Sequence, residues 1–252
     1  MYITLNNLNL YYEKYGTGQK EVLILPGWGN TRETFRYMIS ELENDFTIYI
    51  LDYPGLGLSP VPDKALTLYD YTELIIAFMK KFNINKPIVI AHSFGGRITA
   101  ILSGYYKIKL DRLILIDVAG LKPRKKLKIR LKQYLYKMLK KLTYLLPKLK
   151  QETARQKLLK YFASSDYNSL PPGMHQTFKN IIKEDLSKYY KQIPNETILL
   201  WGSLDQDTPL YQAKKLNKLI KNSALIVLKN ATHFSYLNYP KLTNNIIKSF
   251  LK

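Results

Sequence analysis

Ile88-Val89-Ile90-Ala91-His92-Ser93-Phe94-Gly95-Gly96 joins an apolar run of strand length to a helical pattern, with Ser93 at the junction. Small residues stand two positions before the serine (Ala91) and two after it (Gly95). The spacing has a steric reason. A sharp strand-to-helix turn strains the serine backbone and lifts its hydroxyl above the sheet, where bulkier neighbours would strike the adjoining strand and helix. The same turn puts Ser93 at a helix N-terminus, where free N–H groups and the helix dipole favour developing negative charge. Taken alone, the motif is better read as a serine capping a helix. The rest of the chain changes that reading.

Outward from this junction, periodicity alternates. Tyr2–Leu5 and Leu8–Tyr15 read as a hairpin turning at Asn6-Asn7. Short apolar runs follow at Val22–Leu25, Phe46–Leu51, Ile88–Ala91, Leu113–Ile116, Thr197–Trp201 and Leu225–Leu228. These are apolar on both faces, as strands inside a parallel sheet are. Helical patterns lie between them at Thr31–Leu42, Tyr69–Phe82, Phe94–Ser103, Tyr211–Ile220 and Leu242–Leu251. The alternation predicts an α/β fold with a mostly parallel, eight-stranded, doubly wound sheet. Ligands in such sheets bind at the carboxyl ends of the strands.

Two further residues sit at such ends. Asp205, in Trp201-Gly202-Ser203-Leu204-Asp205, follows the Thr197–Trp201 run, and His233 follows Leu225–Leu228. A serine hydroxyl needs a base to take its proton, and the base needs an acid to fix its tautomer. The order Ser93, Asp205, His233 is that of α/β-hydrolases and not of chymotrypsin-like or subtilisin-like enzymes. Asp117, ending the Leu113–Ile116 run, and Asp207 compete with Asp205 for the acid role. His92 should point to the other side of its strand, away from the serine. His175, beside Pro171-Pro172-Gly173, reads as a surface or packing residue, with substrate contact as its functional alternative. Asp52 reads as bracing a glycine-rich turn, and Arg97 as solvated helix surface with substrate contact as its functional alternative.

With these residues the chain resembles an α/β-hydrolase-fold serine hydrolase, esterase- or lipase-like, with a helical cap. Pro26-Gly27-Trp28-Gly29 is similar to the family's His-Gly-x-Gly loop, and Asp52-Tyr53-Pro54-Gly55-Leu56-Gly57-Leu58-Ser59 to its Asp-x-Pro-Gly-x-Gly-x-Ser turn. Pro26 replaces the usual histidine and Ala91 the commoner first glycine of the nucleophile motif. The resemblance implies an ester or related acyl hydrolysis through a Ser93 acyl-enzyme, His233 as base and Asp205 as its orienting acid. It also implies an oxyanion hole from the backbone N–H groups of Trp28 and Phe94, with no cofactor and no metal. Thioester, amide and C–C hydrolysis, acyl transfer and cofactor-free haloperoxidase chemistry use the same groups in this family, and fold does not choose among them.

From Leu121 to about Gln192 no strand signal occurs, and apolar residues from Leu127 to Leu146 recur at three- and four-residue spacing. The division expected is a hydrolase core over 1–120 and 191–252, with a helical cap over 121–190 whose Tyr134, Tyr136, Tyr144 and Tyr161 read as core. The cap is strongly basic. Residues 122–160 hold 15 Lys and Arg against Glu152 alone, in a chain of formal charge +20. The bland reading is a solvated face; the functional one is attraction to an anionic membrane surface or an acidic substrate. A non-catalytic or membrane-associated binder is the rival class, and an intact Ser-His-Asp set argues against it. Nucleic acid is not an expected partner, since no recognition motif is present.

Composition excludes more than it assigns. At 252 residues, with 46% hydrophobic and 23% charged, the chain is of ordinary globular make-up. The lack of cysteine removes thiol nucleophiles, disulfides and Fe–S clusters, and three histidines make a multi-His metal centre a poor reading. No signal peptide or apolar run of about 18 residues is visible, so the expectation is a cytoplasmic protein, peripheral to the inner membrane face if the cap binds lipid. The small-molecule acyl substrate itself, and the oligomeric state, are not legible.

Overall fold

In the computed structural model, which describes residues 1–124, 127–162 and 165–252, the predicted sheet has eight strands in the order β1-β2-β4-β3-β5-β6-β7-β8. They are β1 (Tyr2–Leu5), β2 (Leu8–Tyr15), β3 (Lys20–Leu25), β4 (Phe46–Leu51), β5 (Ile88–His92), β6 (Leu113–Ile116), β7 (Thr197–Gly202) and β8 (Ser223–Leu228). β1–β2 and β2–β4 pair antiparallel, and every later pair is parallel. β4, β5, β6 and β7 are buried along their whole length, which is why the sequence shows them as unbroken apolar runs.

Helices cover both faces: α1 (Arg36–Leu42), α2 (Leu68–Lys81), α3 (Phe94–Gly104), then α4 (Leu127–Leu142), α5 (Lys148–Phe162), α6 (Ser165–Asn168), α7 (Met174–Ile182) and α8 (Ser187–Tyr190) between β6 and β7, and finally α9 (Leu210–Leu219), α10 (Ser235–Asn238) and α11 (Pro240–Leu251). Strand alternation sorts the core into two layers. Leu23, Leu25, Val89, Ala91, Leu113 and Leu115 pack towards α2, α3, α8 and α9. Val22, Ile24, Ile88, Ile90, Ile114 and Ile116 pack towards α1 and α11. Thr67 caps α2 reciprocally: its hydroxyl accepts from the Asp70 N–H and the Asp70 carboxylate accepts from the Thr67 N–H. The helix expected over Thr31–Leu42 is divided, because its first turn, Arg32–Phe35, is tightened to 3-10 form where Phe35 stacks on Tyr236.

The segment between β6 and β7 is helical, as its periodicity predicts, but its apolar face is not core. α4 and α5 pack on one another, with Arg155 stacked 4.1 Å over Tyr144 and Tyr136 against Phe162. Leu131 is 66%, Leu145 81% and Tyr161 80% exposed, and Tyr134 and Tyr144 are exposed too. The expectation that these tyrosines are core is therefore corrected: helical spacing shows that a stripe exists, not that something covers it. Lys125 and Lys126 lie outside the described residues. α7 instead turns Met174, Thr177, Phe178 and Ile181 inward, and Thr177 Oγ1 accepts from the Leu66 N–H at 3.0 Å.

Candidate active site

Strand β5 delivers Ser93 to the N-terminus of α3 with φ +46° and ψ −108°, a left-handed backbone that a serine adopts only under constraint. The constraint is visible. The Ser93 N–H donates to the Ile116 carbonyl at 3.2 Å, and the Ser93 carbonyl accepts from the N–H groups of Ala119 (2.9 Å) and Gly96 (3.1 Å). The need for a small residue after the serine is equally concrete. A Cβ on Gly95 would lie 2.0 Å from the Leu25 carbonyl oxygen. Ala91, in place of glycine, fits fully buried in the core.

The three residues expected at separate strand ends meet here. His233 Nε2 lies 3.0 Å from Ser93 Oγ, and His233 Nδ1 lies 2.9 Å from Asp205 Oδ2. Asp205 is oriented by its own loop, accepting from Thr208 Oγ1 (2.6 Å) and from the N–H groups of Asp207 (2.8 Å) and Thr208 (2.9 Å). Burial alone would pull the Asp205 carboxyl up, but the His233 bond and charge and the Thr208 bonds hold it below the usual carboxylate value. Burial alone would push the His233 imidazole down; the Asp205 bond and charge outweigh that and hold it above its usual value.

Asp117 is elsewhere engaged. Its oxygens accept from the N–H groups of Gly202 (2.8 Å) and Ser235 (3.1 Å), and burial pushes its carboxyl up to about 7. It braces the start of both loops rather than the imidazole. Asp207 is exposed at the edge of the cavity and reaches Asp205 only through its own backbone. Asp52 braces its turn as expected: Oδ2 accepts from the Leu58 N–H at 2.9 Å and pairs with Arg32 at 3.3 Å. His175 packs against Tyr167, away from Ser93.

A cavity of about 330 Å³ opens on Ser93 and His233, bordered by Trp28, Phe94, Phe178 and Ile181 among others. Phe94 is the first residue of α3, so its N–H has no partner within the helix. Trp28 sits in a turn closed by the Asn30 N–H on the Gly27 carbonyl at 3.1 Å, with Gly29 at φ +75°. Pro26 in place of histidine has not prevented that turn. Among the described residues, Asp205, Asp207 and His233 are the one set whose potential ligand atoms cluster within 4.8 Å. Asp205 and His233 already bond one another, so this donor set is committed to hydrogen bonds.

Two residues near the site differ from, or exceed, their sequence reading. Arg97 was expected on the solvated surface but is 8% exposed and borders the cavity. The turn at 183–186, contributed from far along the chain, covers it: Arg97 Nη1 donates to the Glu184 carbonyl at 3.1 Å. His92 points away from the serine, as predicted, yet it is no bystander. Its Nε2 lies 2.9 Å from the His233 carbonyl, which makes Nε2 the protonated nitrogen, and Nδ1 then accepts from the Asn30 amide at 3.1 Å. Burial, and secondarily the His233 charge, push its pKa down to about 3, so the ring is neutral. Only an indirect sequence signal pointed to it, namely an imidazole beside the nucleophile.

With this geometry in place, kinship can be stated. The chain belongs to the α/β-hydrolase family: the family described as "alpha/beta hydrolase fold" matches residues 20–240. It is similar, at 27% identity over 96% of this chain and 97% of the other, to the pimeloyl-[acyl-carrier protein] methyl ester esterase of Wigglesworthia glossinidia brevipalpis. Among solved structures it shares its fold with a thermophilic esterase from Thermogutta terrifontis (TM-score 0.75, 19% identity, 100% of this chain and 97% of that one). The enol-lactonase from Burkholderia xenovorans LB400 matches similarly (TM-score 0.76, 17% identity, 100% of this chain and 99% of that one). Among the described residues no helix is long and apolar enough to cross a membrane.

Proposed function

We propose that this hydrolase-family chain cleaves a carboxylic ester of a small acyl substrate through a covalent Ser93 acyl-enzyme. The observation that carries the reading is the continuous relay from Ser93 Oγ to His233 Nε2 (3.0 Å) and from His233 Nδ1 to Asp205 Oδ2 (2.9 Å). His233 takes the Ser93 proton as the oxygen attacks the ester carbonyl, and Asp205 holds the imidazolium that forms. The negative carbonyl oxygen is received by the N–H groups of Trp28 and Phe94, each such donor being worth about two to three powers of ten in rate. His233 then protonates the leaving alcohol, and the same steps run with water release the acid and restore Ser93. The curated relative acts on a methyl ester, which favours esters of small alcohols as the first class to test. A fluorophosphonate probe should label the protein, and Ser93→Ala should abolish both labelling and p-nitrophenyl ester hydrolysis while keeping the fold. Labelling that persists in that variant moves the nucleophile elsewhere.

A second reading concerns α4 and α5, and we propose that they dock on an anionic lipid surface. Residues 122–151 carry 12 basic residues and no acid; α4 exposes Leu131, Leu135, Met138 and Leu142, and the 3-10 turn that joins it to α5 exposes Leu145. Lysine alone suits any acidic partner; lysine interleaved with exposed leucine suits the headgroup boundary, where apolar side chains are withdrawn from water. Each engaged lysine is worth about 1 kcal/mol there, screened within a Debye length of about 8 Å. Co-sedimentation should occur with phosphatidylglycerol vesicles and not with phosphatidylcholine, and weaken with salt. Lys137, Lys140 and Lys141→Gln, and separately Leu131 and Leu145→Ser, should each reduce it. Absence of binding, or binding indifferent to the leucine changes, overturns the reading; the latter indicates an acidic soluble partner.

A further inference from the structure

The cavity beside Ser93 contains a cation that the protein does not neutralise. Arg97 stands in the first turn of α3, the helix that Ser93 precedes, and both residues border one cavity. The residue is almost wholly buried, and it borders the same cavity as Ser93 and His233. Other arginines show what is missing. Arg32, Arg36 and Arg112 each reach a carboxylate, at 2.7 Å, 2.5 Å and 3.2 Å, although all are more exposed.

Among the described residues Arg97 has one hydrogen-bond partner, the Glu184 carbonyl, and no carboxylate within ion-pair distance. The nearby acids are turned to other groups. The Glu184 carboxylate bonds Tyr69 at 3.2 Å and pairs with Lys188 at 3.5 Å. Asp185 accepts from the N–H groups of Lys122 and Ser187, both at 2.9 Å. Asp207 borders the cavity but is not paired with Arg97.

A guanidinium has five N–H donors in a planar fork, and one carbonyl engages only one of them. Its other nitrogens are not among the buried, unpartnered polar atoms, and the residue borders the cavity. Arginine remains charged even when burial lowers its pKa. A buried cation with free donors facing a catalytic cavity is suited to receive two oxygens of an anion at once. The chain's formal charge of +20 would also draw anionic substrates towards it.

We infer that Arg97 anchors an anion subsite, and that the ester presented to Ser93 carries a carboxylate or phosphate several bonds from its scissile carbonyl. The separation follows from the backbone: Ser93 precedes α3 and Arg97 lies in its first turn, so the two side chains reach the cavity from different positions along the chain. The inference rests on the reading of Ser93 as nucleophile for the word "ester", but the anion subsite itself does not. The competing explanation is that Arg97 only ties α3 to the 183–186 turn.

Two measurements on the full chain separate these. In the first, kcat/KM is compared for monomethyl glutarate, its phosphate-bearing counterpart and neutral methyl valerate. The wild type should prefer an anionic ester by about tenfold or more. Arg97→Gln should reduce the ratio of anionic to neutral kcat/KM by about ten- to a hundredfold, chiefly through KM, and Arg97→Lys should restore part of it. Equal losses on all substrates would mark a brace and overturn the subsite. In the second, fluorescence of Trp28, which borders the cavity, is titrated with glutarate, inorganic phosphate and neutral glutaramide. Saturable quenching by either anion but not by the amide, lost in Arg97→Gln, supports the subsite even if no ester is turned over, in which case the hydrolase reading alone fails. No anion response, or one unchanged in Arg97→Gln, overturns it.

Discussion

Leu115 and Leu131 are the same side chain in two regions built on opposite terms. Leu115, on β6, is wholly buried between sheet and helix, whereas Leu131, on α4, is 66% exposed. Both belong to regular apolar patterns, one of period two within a strand and one of helical spacing. In the central strands the apolar positions are buried against other parts of the chain, through ladders that tie β3 to β5, β5 to β6 and β6 to β7. In α4 and α5 the partners are mainly each other and the turn between them, and Leu131, Leu135 and Leu142 are left exposed. The lesson is that periodicity reports a face, while only long-range pairing decides whether that face is satisfied. The catalytic groups sit on the satisfied side of this divide.

The largest effect should come from breaking the core's site. Asp205→Asn should lower kcat by about four powers of ten, because the imidazole loses the group that fixes its tautomer. Asp117→Asn should cost far less activity and instead destabilise by about 1–3 kcal/mol, since a backbone N–H loses its acceptor. Steady-state kinetics and urea melts distinguish the two. If Asp117→Asn proves the crippling change, the acid has been misplaced although the reaction class stands.

A smaller effect tests the contrast itself. Leu115→Ala should destabilise by about 2–5 kcal/mol, while Leu145→Ala should change stability by less than about 0.5 kcal/mol. A large loss for Leu145→Ala, measured by chemical denaturation at low protein concentration, would mean that α4 and α5 are covered in solution. The smallest expected signal is a pH shift. His233 must be unprotonated to act as base and its pKa is raised, so kcat/KM should fall as pH drops through a value above about 6.5. Removing the Asp205 charge should move that limb to lower pH. A limb that stays in place would separate Asp205 from the titration of His233.

Much of the core was legible because burial on both faces leaves little room for polar residues. β4, β5 and β6 stand where their apolar runs stand. β3 and β8 begin two residues earlier than their apolar runs, at Lys20 and Ser223, because ladder register rather than composition sets strand ends. At the site, chain order pointed to Ser93, Asp205 and His233, with Asp117 and Asp207 as competitors of Asp205 that pattern did not remove. Loop geometry turns Asp205 to the ring and Asp117 to backbone N–H groups. Arg97 was misread for a related reason. A charged residue one turn into a helix is ordinarily solvated, and what covers it here arrives from residue 184, 87 positions away.

The neutral ring of His92 has a consequence for how this site can change. It bonds Asn30 on the Trp28 turn and the backbone of His233, and it follows directly into Ser93. One neutral imidazole thus ties together the Trp28 turn, Ser93 and the His233 backbone, the groups proposed to bind the oxyanion, to attack and to act as base. Its ring lies 4.9 Å from that of His233 and stays neutral when, in the proposed mechanism, its neighbour takes up a proton. Evolution or engineering that remodels the Trp28 turn for a larger acyl group must therefore move the base with it, or first replace His92 by a strut of another length.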